Sequence, residues 1–165
     1  MREMKPMTLA ELDSAPFRVD LSTTLPGSPE QVFAQLADPT RWIDWFPLMH
    51  RALWTSATTA AVGAERCVEL RVFGKFAERI IAWEPGARFS FTMTASTSPL
   101  AARMAEDWRI TREGKSSRLD WTVGAHPTLI GRPAKPALRV VLSQLFKRGG
   151  SNLARLLRER GTQVA

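Results

Sequence analysis

The C-terminal segment carries one long apolar stripe at helical spacing, and it dictates most of what the rest of the chain must do. Leu138, Val141, Leu142, Leu145, Phe146, Gly149, Leu153, Leu156 and Leu157 recur every three or four residues. Lys147, Arg148, Arg155 and Arg158 fall on the opposite arc. A stripe of this length must be covered by another apolar surface. The preceding Pro127, Pro133 and Pro136 read as a punctuated loop, so the helix is expected to begin after Pro136. Gly149 sits in mid-stripe at a cost of roughly 1 kcal/mol relative to Ala. It either leaves cavity volume or admits a tightly packed neighbour such as a tryptophan.

The cover is a sheet, because most of the chain before the helix alternates with period two. Phe17, Val19, Leu21 and Thr23 alternate with Arg18, Asp20 and Ser22 and stop at Pro26-Gly27. Ser28-Pro29-Glu30-Gln31 reads as a capping box with proline at the first helical position, opening a short helix whose apolar face is Val32, Phe33 and Leu36. Asp38-Pro39 starts a second short helix with Trp42, Trp45 and Phe46 on one side. Strands follow: His50 to Ala57; Glu65 to Val72, with Arg66, Val68, Leu70 and Val72 facing inward; then Phe76 to Trp83, apolar on both faces and so open as to which is inward. Phe89, Phe91 and Met93 mark the next. Met104, Glu106, Trp108 and Ile110 lead through Glu113-Gly114-Lys115 into Leu119, Trp121, Val123 and Ala125, a hairpin. One strand, two short helices, about six strands and a long helix describe an antiparallel sheet closed on its concave side by that helix.

The net charge of +7 on 165 residues is lopsided. Residues 1–131 balance 15 basic against 15 acidic residues, while residues 132–165 hold 8 basic residues and Glu159 alone. Such a segment is either a solvated helix face or a contact for an anionic partner. Specific nucleic-acid recognition is not expected, since Phe146 is the segment's only aromatic and lies on the apolar side. Peripheral contact with an anionic membrane through the basic helix face stays open; deep insertion would strip the apolar arc from the sheet. With Cys67 alone and His50 and His126 far apart, neither a disulfide nor a Cys/His metal set is expected. Phe73-Gly74-Lys75 lacks the flanking residues of a phosphate-binding loop, and no cofactor is expected. Met1 to Pro6 has no apolar signal region, which predicts a cytoplasmic protein.

Ser28-Pro29-Glu30-Gln31-Val32-Phe33, Asp38-Pro39-Thr40-Arg41-Trp42, Val62-Gly63-Ala64-Glu65-Arg66 and the final Leu-rich helix, in this order of elements, resemble the START-related helix-grip (birch-pollen-allergen-like) superfamily, nearest its polyketide cyclase/dehydrase and lipid-transport branch. The resemblance spans roughly residues 15 to 160. It implies an α+β helix-grip fold: a curved seven-stranded antiparallel sheet wrapped around the C-terminal helix, with two short helices after the first strand. Residues 1–15 are expected to be a mobile leader or short helix, and residues 16–162 a single ligand-binding domain. Members include cyclases, dehydrases, lipid carriers and hormone receptors, so the fold implies a cavity for a hydrophobic or amphipathic small molecule without choosing among these roles.

The inward faces then name the candidate ligand-binding residues: Trp42 and Trp45; Val68 and Leu70; Phe89, Phe91 and Met93; Met104 and Trp108; Trp121; and Leu142, Phe146 and Gly149 of the long helix. Each is equally readable as ordinary core. Six Trp and no Tyr point to an apolar pocket. Three charged residues interrupt it. Arg66 is suited to a carboxylate or enolate oxygen, and Glu78 and Glu106 are the candidate proton donors or acceptors of a cyclase or dehydrase. The plainer reading is an internal Arg66–carboxylate pair that only completes the interior. His50, His126 and the apolar Thr128-Leu129-Ile130 loop are placed near a cavity mouth. The chain is compatible with a monomer or a homodimer.

Overall fold

The computed structural model describes residues 1–162. The strand β1 (Arg2–Glu3) and the helix α1 (Leu9–Asp13) precede β2 (Phe17–Pro26). Two short helices, α2 (Pro29–Ala37) and α3 (Trp42–Trp45), follow, with a 3-10 turn at Pro39–Arg41 between them. Then come β3 (Met49–Trp54), β4 (Glu65–Leu70), β5 (Gly74–Glu84), β6 (Arg88–Ser96), β7 (Ala101–Glu113), β8 (Ser116–Pro127) and α4 (Gly131–Thr162). Seven strands run antiparallel in the order β2-β8-β7-β6-β5-β4-β3, and the two-residue β1 is added beside β6. The sheet curves around α4. This is the expected α+β helix-grip architecture.

Local chemistry accounts for the elements that frame the interior. The Gln31 N–H donates to Ser28 Oγ at 3.3 Å and the Ser28 N–H to Gln31 Oε1 at 2.8 Å, so both ends of the α2 capping box are closed. Asp38 accepts from the Thr40 N–H at 2.9 Å and starts the turn that delivers Trp42. Trp42, Trp45 and Phe46 are all buried on one side, with ring centroids 4.8 to 5.5 Å apart.

The two-faced apolarity of β5 has a structural cause. Glu78 pairs with Met93 and Ile80 with Phe91 on the concave face; the register shifts between Ile80 and Ala82, so Trp83 rather than Ala82 returns to that face, opposite Phe89. A bulge inserts one residue and reverses which parity points inward. Trp83 meets Phe33 of α2 edge-on at 5.3 Å.

Three expectations need revision. The strand read as His50 to Ala57 is Met49–Trp54, with a register shift between Met49 and Arg51. The helix α4 begins at Gly131, before the prolines. Its first turn is held by Thr128, whose hydroxyl accepts from the Gly131 N–H at 3.1 Å and whose carbonyl accepts from the Arg132 N–H at 3.0 Å. Pro133 falls where a helical N–H has no partner anyway, and only Pro136 forgoes a bond. Finally, the strand read as Glu65 to Val72 ends at Leu70, and Val72, read as inward, lies in the following turn and is 91% exposed. Of the two readings of Gly149 the packed one holds: a Cβ there would stand 3.3 Å from Pro47 Cδ and 3.7 Å from the Trp45 ring.

Residues 1–15 contain the short helix α1 and are docked. Met4, Met7 and Leu12 are buried, the Met7 N–H donates to Thr92 Oγ1 at 2.8 Å, and Arg103 pairs with Glu11 at 2.7 Å. Because Gly149 is the contact point of α3 on α4, Gly149→Leu is expected to overpack it and to cost about 1–3 kcal/mol. Urea denaturation checks this, with a lowered midpoint and unchanged slope as the expected result.

Candidate functional site

Between the concave sheet and α4 lies a cavity of about 80 Å³, bounded by Trp42, Phe46, Met49, Val68, Leu70, Phe91, Met93, Trp121 and Leu145 and by the charged Arg66, Glu78 and Glu106. A second cavity of about 80 Å³ adjoins it, lined by Met4, Phe17, Leu100, Val123, Ala125 and Leu138 among others. Phe73, Phe76, Met104 and Leu142 belong to both walls. They form the partition between the cavities. Unbranched Met104 is the most easily displaced of the four.

Arg66 is the polar centre. It stands opposite Glu78 in the β4–β5 ladder, and its Nε donates to Glu78 Oε2 at 2.5 Å, with the two side chains 1% and 3% exposed. Its guanidinium carbon lies 4.5 Å from the ring centroids of Trp42 and Phe91 and 5.0 Å from that of Phe89. Desolvated cation–π contacts of this kind contribute about 2 kcal/mol or more. They offset part of the cost of burying the ion pair. They do not satisfy its donors: Nη1 and Nη2 are buried and have no hydrogen-bond partner among the described residues. Buried donors left so are costly, and a guanidinium fork suits a pair of oxygen acceptors.

Glu106 comes from β7. Its Oε2 accepts from Trp121 Nε1 at 2.7 Å and Trp108 Nε1 at 3.2 Å. The two indoles are cross-strand partners, stacked with centroids 5.0 Å apart. Burial pushes the Glu106 carboxyl up to about 8, and the nearby Glu78 charge pushes the same way against the two indole N–H groups. Burial raises Glu78 too, with Arg66 pulling it back. The cavity therefore holds the hydrogen-bonded Arg66–Glu78 pair, with its guanidinium fork open, beside a Glu106 carboxyl that keeps its proton up to about 8. That set can orient an oxygenated guest and exchange a proton with it.

Of the residues named from sequence, Trp42, Arg66, Val68, Leu70, Phe91, Met93, Met104, Trp121 and Leu142 face the cavity, together with Glu78 and Glu106. Trp45, Phe89, Trp108, Phe146 and Gly149 do not. Trp45 packs behind Trp42, Phe89 lies against Arg66, Trp108 is stacked behind Trp121, Phe146 stacks on Trp121 at 5.1 Å and Gly149 meets Pro47. Aromatic packing fills that part of the concave side. Phe46, Met49, Phe73, Phe76 and Leu145 were missed. Phe46 and Leu145 carried a usable signal, the helical spacing from Trp42 and Leu142. Phe73 lay in a presumed turn and Phe76 on a strand of undecided face. His50 and His126 line neither cavity. Among the described residues no cluster of His, Cys, Asp and Glu is arranged to hold a metal ion.

Glu106 is protonated in the folded chain and ionised in the unfolded one between its ordinary value of 4.5 and about 8. The folded state then binds more protons, so this group's contribution makes stability fall as pH rises through that window and level off above it. Urea midpoints from pH 5 to 9 check this. Glu106→Gln is expected to flatten the fall.

The chain matches the family model described as polyketide cyclase / dehydrase and lipid transport over residues 16–158. It is 32% identical over 150 residues to the uncharacterized protein Rv2574 of Mycobacterium tuberculosis, covering 89% of this chain and 88% of that one. Among solved structures it resembles XoxI of Bacillus cereus, with TM-score 0.68 at 15% identity over 88% of this chain and 98% of the other. A START superfamily protein of Mycobacterium smegmatis gives TM-score 0.66 at 13% identity over 90% and 99%. The di-domain ARO/CYC BexL of the BE-7585A biosynthetic pathway also gives TM-score 0.66, at 14% identity over 84% of this chain and 45% of that one. With the helix-grip fold and most of its length matched, the chain belongs to the polyketide cyclase/dehydrase and lipid transport family.

Proposed function

We propose that this protein binds a hydrophobic or amphipathic small molecule, of lipid, polyketide or polycyclic aromatic type, between the sheet and α4, with Arg66 as the polar anchor for an oxygen of the guest. The observation that carries this reading is the guanidinium fork, buried and without a hydrogen-bond partner among the described residues, in a wall that apart from Glu78 and Glu106 is apolar. The family's association with polyketides and lipid transport supports the same class of guest. The apolar lining supplies affinity by burial, about 25 cal/mol per Å² of apolar surface removed from water, and Arg66 supplies orientation.

The six tryptophans are built-in reporters. Titration with fatty acids, sterols and polycyclic aromatics is expected to give a saturable, one-to-one quench by one class. Arg66→Lys keeps the charge but loses the fork. It is expected to weaken an oxygenated guest by at least about tenfold, the value of one charge-assisted hydrogen bond, while leaving its deoxy analogue nearly unchanged. Silence across the panel in native folded protein overturns the binding reading. In a second test, Met104→Ala opens the partition between the two cavities and is expected to shift the preference toward longer guests.

A second reading, a cyclase or dehydrase, is favoured by one specific observation: the protonated Glu106 carboxyl shares a cavity with Arg66 and Glu78. Arg66 then stabilises an enolate oxygen and Glu106 gives or takes the proton. Mass spectrometry of a poly-β-ketone thioester analogue incubated with the protein tests it. Glu106→Gln is expected to retain binding and lose turnover; an unchanged product pattern relative to buffer rejects it.

A further inference from the structure

Four connections meet at one end of the sheet: residues 46–48 before β3, residues 71–73 after β4, residues 97–100 before β7 and residues 128–130 after β8. Backbone bonds tie them together. The Arg71 N–H donates to the Leu48 carbonyl at 2.9 Å, the Thr97 N–H to Lys75 at 3.0 Å and the Thr128 N–H to Leu100 at 3.0 Å. This is also where the second cavity is bounded, by Phe73, Ser98, Leu100 and Pro127.

The end is apolar where a soluble surface is ordinarily not. Val72 is 91% exposed, Leu129 78% and Ile130 67%. Val72 holds a φ of 80°, a conformation that a β-branched residue adopts only under strain, and its side chain is turned outward. Between these fingers the charge has one sign. Residues 70–77, 94–105 and 126–142 contain Arg71, Lys75, Arg103, Arg132, Lys135 and Arg139 and not one Asp or Glu. Glu69 pairs with Lys75 and Glu11 with Arg103, while Arg71, Arg132 and Lys135 make no ion pair among the described residues.

We propose that this end of the molecule docks on an anionic lipid bilayer, with Val72, Leu129 and Ile130 in the headgroup layer and Arg71, Arg132 and Lys135 against the anionic headgroups. Charge complementarity selects this occupant. Two copies meeting end to end would bring like charges together, and the short apolar fingers reach only the depth of an interfacial contact. The apolar arc of α4 stays on the sheet throughout. The expected basic surface is therefore this loop end and the first turns of α4, not the whole helix face. The contact goes beyond cavity binding and stands whether or not the cavity takes a guest, although a lipid leaving the bilayer here meets Phe73 and Leu100 first.

Co-sedimentation of the full chain with phosphatidylcholine vesicles, with and without 30% phosphatidylglycerol, tests the proposal. Binding is expected only with the anionic lipid and is expected to be lost at 0.5 M salt. Leu129→Glu/Ile130→Glu and Lys135→Glu are each expected to lower partitioning by about tenfold or more. Lys115→Glu, the same charge change in the hairpin at the opposite end of β7, is expected to leave it nearly unchanged. Circular dichroism and the intrinsic fluorescence of the six tryptophans confirm that the variants fold. Absence of binding to anionic vesicles, equal binding to neutral ones, or equal losses from Lys135→Glu and Lys115→Glu overturns the proposal. So does self-association that Leu129→Glu abolishes while vesicles are ignored. A failure of the cavity titration with vesicle binding intact would reject only the cavity reading.

Discussion

The interior of this protein is organised around one buried charge. Arg66 enters on β4, finds Glu78 directly across the ladder, and is boxed by Trp42 from α3 and by Phe89 and Phe91 from β6. Burying such a pair is seldom a net gain against an apolar alternative of the same size. The surroundings therefore have to be built for it: the rings replace part of the lost hydration, Glu78 takes one N–H, and α3 must dock for Trp42 to arrive. Removing any one of these would leave a desolvated cation. The fork that remains open gives a buried polar pair a reason to sit in a ligand cavity.

The same arrangement sets the state of Glu106. A carboxyl on the neighbouring face of a low-dielectric cavity, with the Glu78 anion close by, keeps its proton to about 8. The indole N–H groups of Trp108 and Trp121 hold its oxygen in place and tie the acid to the aromatic stack. That stack, continued by Phe146 of α4, fills one part of the concave side and leaves the space nearer Phe73 and Leu138 open. Packing density is thus uneven along α4. Its C-terminal half is buried as core, with Phe146, Leu153 and Leu157, whereas Leu138, Leu142 and Leu145 border cavity.

Much of the fold was legible because each signal was local. Ser28 and Gln31 announce a helix start from adjacent residues, Gly114 a hairpin, and the stripe from Leu138 to Leu157 a helix that needs a cover. Elsewhere a neighbour outvoted the local rule or decided where no local rule chose. Thr128 starts α4 ahead of Pro133 and Pro136, which look like a loop, and Val72, in phase with the inward face, is turned out beyond the end of β4; a bulge decides the open parity of β5 between Ala82 and Trp83, and Pro47 and Trp45 claim the space above Gly149.

The identity of Arg66, Glu78 and Glu106 and the inward direction of Arg66 and Glu106 followed from the chain alone, because strand alternation assigns a side chain to a face without reference to its partners; the face of Glu78, on a strand apolar on both sides, was decided by the β5 register. What no local pattern contains is distance across the fold. Only the folded sheet shows that Arg66 spends a single N–H on Glu78, that Glu106 sits on two indoles, and which inward aromatics are packed solid and which border empty space. Those outcomes depend on register, bulges and helix docking, which join residues more than a hundred positions apart. The exposed fingers at Val72 and Leu129 belong to the same class: their apolarity is written in sequence, and their meeting at one end of the molecule is a product of topology.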